Sequence, residues 1–224
     1  MAIDYQRFER YLRRCKEVAN EPGMNPIVIA VYQEALDGPA TAYLTAYDAM
    51  VKAIAAHEKE HGEAHQALSE LDSPYRVARS AVATMQPETV KALPDTLKSL
   101  STDTDQLSAI EKLLDIIDDY AGSAWADALL KGEFGIKAAA AVKEINEGIT
   151  SNKALSAAQL ERSRAYGPAY EKYLGFKRVV RNALGPGSKQ YRRIHMRASP
   201  GAGGAGGAGD EAPAEGTEAP PKTP

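Results

Sequence analysis

The sequence has few of the features that mark membrane proteins, secreted proteins or disulfide-rich folds. Its single cysteine, Cys15, excludes an intrachain disulfide framework and any metal site built from several cysteines. The longest unbroken apolar run covers only residues 27–32, far fewer than the roughly 20 residues of a membrane span. Acidic residues and arginines lie within the first 16 positions, where a signal peptide would have an apolar stretch. We therefore expect a cytoplasmic protein with no transmembrane segment.

The signatures of common enzyme classes are also missing. The glycine-rich stretch at residues 201–209 does not follow a strand pattern, as a phosphate-binding loop would. Cys15 shares a helical stripe with Phe8 and Leu12, and no histidine is placed beside it. A buried, apolar role is therefore expected for this thiol rather than nucleophilic catalysis. We expect no enzymatic activity and no cofactor, apart from the divalent metal considered below.

Apolar residues recur at helical spacing along most of the chain, and no segment alternates at the period of a strand. The pattern predicts a first helix over residues 4–19 and a short second helix over residues 27–35. A long helix of about 33 residues should then begin at Pro39 and end before the Ser73-Pro74 pair, a rod of roughly 50 Å. We expect an all-α fold, arranged as an antiparallel multi-helix bundle with short loops.

Local signals predict the helix boundaries of the second half. Capping boxes beginning at Asp103 and Ser156 should each open a helix, because the side chain at the cap can accept a backbone hydrogen bond. Gly185 should end the last long helix, and Ser188 should cap a final short one.

Composition divides the chain into a helical body, residues 1–198, and a tail, residues 199–224. The tail contains seven glycines, five prolines and no large apolar side chain, so we expect it to be disordered. Its composition is also typical of a high-GC bacterial genome.

Charge is distributed unevenly along the sequence. Residues 1–16 have a net charge of +3, residues 17–171 of −11, and residues 172–198 of +8 with no acidic residue. One interpretation is that the basic ends pack against the acidic middle and neutralise it within one chain. The other is that the C-terminal segment presents a basic surface to an anionic partner.

The candidate residues of this basic surface all lie within the last part of the body. They are Lys172, Lys177, Arg178, Arg181, Lys189, Arg192, Arg193 and Arg197. Aromatic residues are interleaved with them, as in proteins that stack single-stranded nucleic acid. These aromatic residues, namely Tyr170, Tyr173, Phe176 and Tyr191, could equally belong to the core.

Three of the four histidines form the second candidate site. His57, His61 and His65 recur every four residues on one helix, and Glu58 lies beside them. Glu58 and His61 form an E-x-x-H pair, which resembles the local motif of ferritin-like di-metal bundles. Such bundles need a second E-x-x-H motif and two more carboxylates, and the sequence has no second copy.

Imidazoles four residues apart can chelate one divalent ion such as zinc. Acidic residues of a later helix could complete such a site if that helix packs alongside: Asp115, Asp118 and Asp119. The alternative is that the histidine segment is a solvated face of a helix that projects past the bundle.

Three functional hypotheses follow. The first is a non-catalytic helical scaffold or interaction protein that associates with itself or with another protein. The second is a metal-binding bundle centred on the histidine cluster. The third is a nucleic-acid-associated protein that uses the basic C-terminal segment.

Overall fold

The computed structural model describes residues 4–196, which contain seven α-helices and no β-strand. The helices are α1 Tyr5–Ala19, α2 Pro26–Val31, α3 Asp37–Met85, α4 Asp103–Asp118, α5 Ala124–Lys131, α6 Glu133–Leu184 and α7 Lys189–Ile194. The all-α prediction is confirmed for these residues. None of their helices combines the length and the apolar character that crossing a bilayer requires. Arg197 and the predicted tail lie outside the described residues.

Two long helices, α3 and α6, run antiparallel to each other along the length of the molecule. Tyr43 near the start of α3 contacts Tyr166 in the second half of α6, with ring centroids 6.2 Å apart. Further along α3, His57 lies 3.2 Å from Ser151, which comes earlier in α6. The 52 residues of α6 correspond to a length of about 78 Å. The wider prediction, that all helices form one antiparallel bundle, stays a prediction.

The predicted break at Ser73-Pro74 is wrong, because α3 continues through both residues. A proline inside a helix removes one backbone hydrogen bond and costs about 3 kcal/mol. Pro74 is itself buried, and its neighbours Leu71 and Tyr75 are fully buried in the core. Burial of each such side chain contributes about 1.5–3 kcal/mol, so packing outweighs the local cost.

The predicted end of the second helix before Pro39 is also wrong. A π-helical turn, Tyr32–Leu36, joins α2 directly to α3, so helical structure extends from residue 26 to residue 85. The long helix therefore exceeds the predicted 33 residues. The π turn lies just before Pro39, which has no N–H to donate to the helical hydrogen-bond ladder.

Two predicted helix starts also differ from the structure. The cap of α4 is Thr102, one residue before the predicted Asp103, and its Oγ1 accepts a hydrogen bond from the Asp105 N–H at 3.1 Å. Ser156 opens no helix but lies in the interior of α6. No glycine or proline occurs in residues 149–155 to end the preceding turns, so the helix continues.

The short helices pack at opposite ends of the α3–α6 pair and create two separate cores. The terminal lobe, residues 4–47 and 165–196, contains α1, α2 and α7; its core includes Phe8 and Tyr173. The distal lobe, residues 64–148, contains α4 and α5; its core includes Leu71 and Ile110. Between them lies a waist, residues 51–63 of α3 and 149–164 of α6, in which no side chain is buried. The waist is made only of the two long helices.

Candidate functional site

The three histidines lie along α3 from the waist to the edge of the distal lobe. His57 is half-buried and its Nδ1 lies 3.2 Å from the Ser151 hydroxyl of α6. His61 and His65 are exposed, as is Glu58. Neighbouring imidazole rings have centroids 5.8 Å and 6.3 Å apart. The segment is therefore a partly solvated helix face with one member engaged by α6.

His61 and His65 line a groove of about 570 Å³ between α3 and the loop that leads into α4. Asp103, the first residue of α4, lies in the same groove. Asp115 follows Asp103 by twelve residues, which is about 18 Å along a helix, and it does not line the groove. The start of α4, and not the predicted aspartates further along it, is thus the part that faces the histidines.

Within the described residues, the nitrogen atoms of the histidines do not surround a position that one metal ion could occupy. Among these residues, one group of three acidic or imidazole side chains has ligand atoms within 4.8 Å of one another, and it consists of Glu60, Glu63 and Glu144. Metal binding by His57, Glu58, His61 and His65 therefore stays a prediction.

The basic C-terminal segment lies on the terminal lobe, on the last turns of α6 and on α7. Of its seven described members, only Arg193 has an ion pair with a described carboxylate. Its guanidinium contacts Glu17 at 2.7 Å and also pairs with Glu21, both from α1 or the loop that follows it. The remaining six have no such pair among residues 4–196: Lys172, Lys177, Arg178, Arg181, Lys189 and Arg192. Within the described chain, the acidic middle therefore neutralises only one member of the segment, Arg193.

A basic groove of about 600 Å³ lies where α7 meets α1. It is lined by Arg14, Glu17, Gly187, Lys189, Arg192 and Arg193. Lys189 and Arg192 are exposed, and their spacing of three residues places them on one face of α7. The Arg14 guanidinium donates a hydrogen bond to the Arg193 carbonyl at 3.5 Å and lies over the Tyr11 ring. Four cations and one carboxylate thus share this groove, for a net charge of +3.

The core of the terminal lobe holds α7 in place. Ile194 is fully buried, and its carbonyl accepts a hydrogen bond from the Tyr173 hydroxyl at 2.5 Å. The same hydroxyl accepts a bond from the Met196 N–H at 3.3 Å. Burial raises the pKa of Tyr173, so the phenol stays protonated and able to donate.

The predicted cap at Ser188 is confirmed, since its Oγ accepts a hydrogen bond from the Tyr191 N–H at 3.2 Å. Lys189 and Arg192 are therefore presented by a fixed helix.

The interleaved aromatic residues pack within the terminal lobe. Tyr173 and Phe176 are buried in its core. Tyr170 stacks on Tyr166 with centroids 5.4 Å apart, and Tyr191 stacks on His195. Cys15 is fully buried in the same core, as predicted, and burial raises the pKa of its thiol. The described structure thus gives these aromatic rings packing partners from its own chain.

An acidic groove of about 500 Å³ lies on the opposite part of the molecule, between α3 and α6. It is lined by Lys59, Glu60, Glu63, Gln66, Ala67, Glu70, Lys143, Glu144 and Glu147. The Lys59 ammonium donates to Glu60 at 3.1 Å and to Glu63 at 3.0 Å. Together these hydrogen bonds raise the pKa of Lys59 to about 12, and the bond to Glu63 has the largest effect. Lys143 is shared in the same way between Glu144 and Glu147. Five carboxylates face two ammonium groups, for a net charge of −3.

The acidic groove could not be recognised in the sequence because its members come from distant parts of the chain. Glu63 and Glu144 are 81 positions apart, and only the antiparallel pairing of α3 and α6 brings them together. The local signal was the repeated Glu and Lys at four-residue spacing, visible in Lys59 with Glu63 and in Lys143 with Glu147. Such pairs indicate exposed helix faces without showing which two faces meet.

Charge is separated between the two parts of the folded chain. The terminal lobe has twelve basic and seven acidic residues, a net charge of +5. The remaining described residues, 48–164, have thirteen basic and nineteen acidic residues, a net charge of −6.

Comparison with family models, with curated proteins and with solved structures finds no match to this chain.

Proposed function

We propose that this protein is a non-catalytic helical scaffold that associates with itself through its oppositely charged parts. The observation that carries the proposal is the charge separation: +5 on the terminal lobe and −6 on the rest of the described chain. Opposite charges that remain unpaired within one molecule attract a second molecule that carries the same pattern.

The geometry of the chain favours pairing between molecules over pairing within one. Arg13 is the chain neighbour of Arg14, which lines the basic groove, and it pairs with Asp48 of α3. Asp48 precedes Glu63 of the acidic groove by fifteen residues on the same helix. That separation is about 22 Å along a helix, whereas charges are screened within about 8 Å at physiological salt. The two surfaces of one chain therefore interact weakly, and close approach requires a second copy.

A scaffold is further supported by the shape of the fold. Two cores at opposite ends of a helix pair, joined by a waist without buried side chains, present different surfaces at a fixed distance. A nucleic-acid partner has less support because the aromatic side chains that would stack on bases are packed in the terminal lobe.

The native mass at two salt concentrations tests the proposal. At about 50 mM salt, multi-angle light scattering should give at least twice the 24.0 kDa of one chain. At about 500 mM salt, where exposed charges are screened within about 4 Å, the mass should fall towards 24.0 kDa. A monomer at both concentrations, or an oligomer whose mass does not change with salt, would contradict association through charge.

A further inference from the structure

We propose that the two grooves are the two halves of this self-association: the basic groove of one copy docks on the acidic groove of a second copy. Lys189 and Arg192 of the first copy enter among Glu63 and Glu144 of the second. The inference rests on the proposed self-association and adds the contact surfaces to it.

The basic groove offers cations that are both available and fixed in position. Lys189 and Arg192 have no ion pair with a described carboxylate, and both are exposed on one face of α7. Arg193 is already occupied by Glu17 and Glu21, and these contacts attach α7 to the α1 region. Because the helix is held, docking costs little ordering of the backbone. The available donors are therefore Lys189 and Arg192.

The acidic groove keeps an excess of negative charge after its own lysines are paired. Oxygen atoms of Glu60, Glu63 and Glu144 lie within 4.8 Å of one another, so their negative charges repel. Lys59 and Lys143 are each shared between two carboxylates and leave a net charge of −3. An arginine can bind two carboxylate oxygens at once through its planar guanidinium. Arg192 from another chain supplies that group.

The net charges of the two grooves, +3 and −3, are opposite in sign and equal in size. Both grooves belong to the same chain, so every copy carries one of each. Contact between unlike surfaces of identical chains is a head-to-tail interface, which closes into a ring or continues as a filament. The proposed assembly can therefore grow beyond a dimer.

A charge-reversal complementation experiment tests the pairing. One variant carries Lys189→Glu and Arg192→Glu, and the second carries Glu63→Lys and Glu144→Lys. Each variant alone has two surfaces of like sign and should associate at least about tenfold more weakly than the wild-type chain, measured by sedimentation at about 50 mM salt. A one-to-one mixture contains complementary surfaces again and should recover the association.

The matched control carries Lys172→Glu and Arg178→Glu. Both residues are exposed on the same lobe and lie outside the groove, and the change in net charge equals that of the first variant. The control should associate clearly more tightly than the Lys189→Glu, Arg192→Glu variant, although the two variants have the same net charge. Circular dichroism of every variant checks that helix content is retained.

The outcomes separate this inference from the proposed function. If the wild-type chain associates and both single variants do so equally well, or if the mixture shows no recovery, the grooves are not the contact. If the wild-type chain is a monomer at low salt, the proposed function itself fails. If that monomer binds a labelled single-stranded oligonucleotide and Lys189→Glu with Arg192→Glu abolishes the binding, the basic groove takes nucleic acid, which overturns the pairing.

Discussion

Replacing Phe8 with alanine should destabilise the terminal lobe by about 3–5 kcal/mol and lower its melting temperature by at least about 12 °C. Phe8 is almost fully buried, and its ring contacts those of Tyr43 and Tyr166 at centroid distances of 4.9 and 5.0 Å. It also meets the rings of Tyr170 and Tyr173. Truncation leaves a cavity among four aromatic rings that cannot all move inward, so most of the lost packing is not recovered.

Two spectroscopic signals can follow the two lobes separately. Nine of the eleven tyrosines belong to the terminal lobe, whereas the single tryptophan, Trp125, packs against the distal core. Phe8→Ala should therefore shift the near-ultraviolet circular dichroism transition and leave the Trp125 fluorescence transition in place. Gln6→Ala, an exposed change on the same helix, should shift neither signal. Equal shifts of both signals in Phe8→Ala would show that the waist does not separate the two cores.

Replacing Gly135 with alanine should destabilise the distal lobe by about 3 kcal/mol, the upper part of the range for overpacking. An added Cβ would lie 1.9 Å from the carbonyl oxygen of Leu130, at the tight junction between α5 and α6. The obstacle is backbone, which cannot rotate away as a side chain can. The junction itself must open, and this displaces Phe134 from the core.

The effect of Gly135→Ala is measured as a shift of the Trp125 fluorescence melt to lower temperature. Gly62→Ala is the matched control, because nothing lies within 4 Å of the position of its added Cβ and the residue is in the interior of α3. Alanine there should stabilise the helix by about 0.5–1 kcal/mol. An unchanged melt for Gly135→Ala would mean that the α5–α6 junction is looser than the structure indicates.

Sequence reasoning succeeded where short-range chemistry decides the outcome. Gly185 as the end of α6 and Ser188 as the cap of α7 follow from residues within one turn of each boundary. The backbone of Gly185 has a φ of +86°, a conformation that glycine adopts without strain. The burial of Cys15 was likewise visible in the spacing of its helix stripe.

Sequence reasoning failed where packing overrides a local signal. Pro39 and Pro74 occur where a helix was predicted to begin and to break, and both lie inside continuous helix. The capping box at Ser156 lies inside α6 for the same reason. A local rule cannot register the pairing of α3 with α6, because that pairing joins residues up to about 120 positions apart.

The candidate site was predicted in part. The imbalance of charge along the sequence indicated the basic surface, and the structure places its described members on one lobe, where only Arg193 has an ion pair with a described carboxylate. The acidic partner surface depends on Glu63 and Glu144 meeting across two helices, which no local spacing reveals. The metal prediction depended on similar long-range information, since the acidic residue that shares the histidine groove is Asp103.

The central claim is that two oppositely charged lobes are held apart, so that their charges pair between chains and not within one. Small-angle X-ray scattering at about 500 mM salt, where association is screened, tests that separation most directly. A rod of the length of α6, about 78 Å, has a radius of gyration of at least about 22 Å, and the pair-distance distribution should show a second maximum from the two lobes. A single maximum and a radius near 17 Å, the value of a compact domain of 224 residues, would contradict the account.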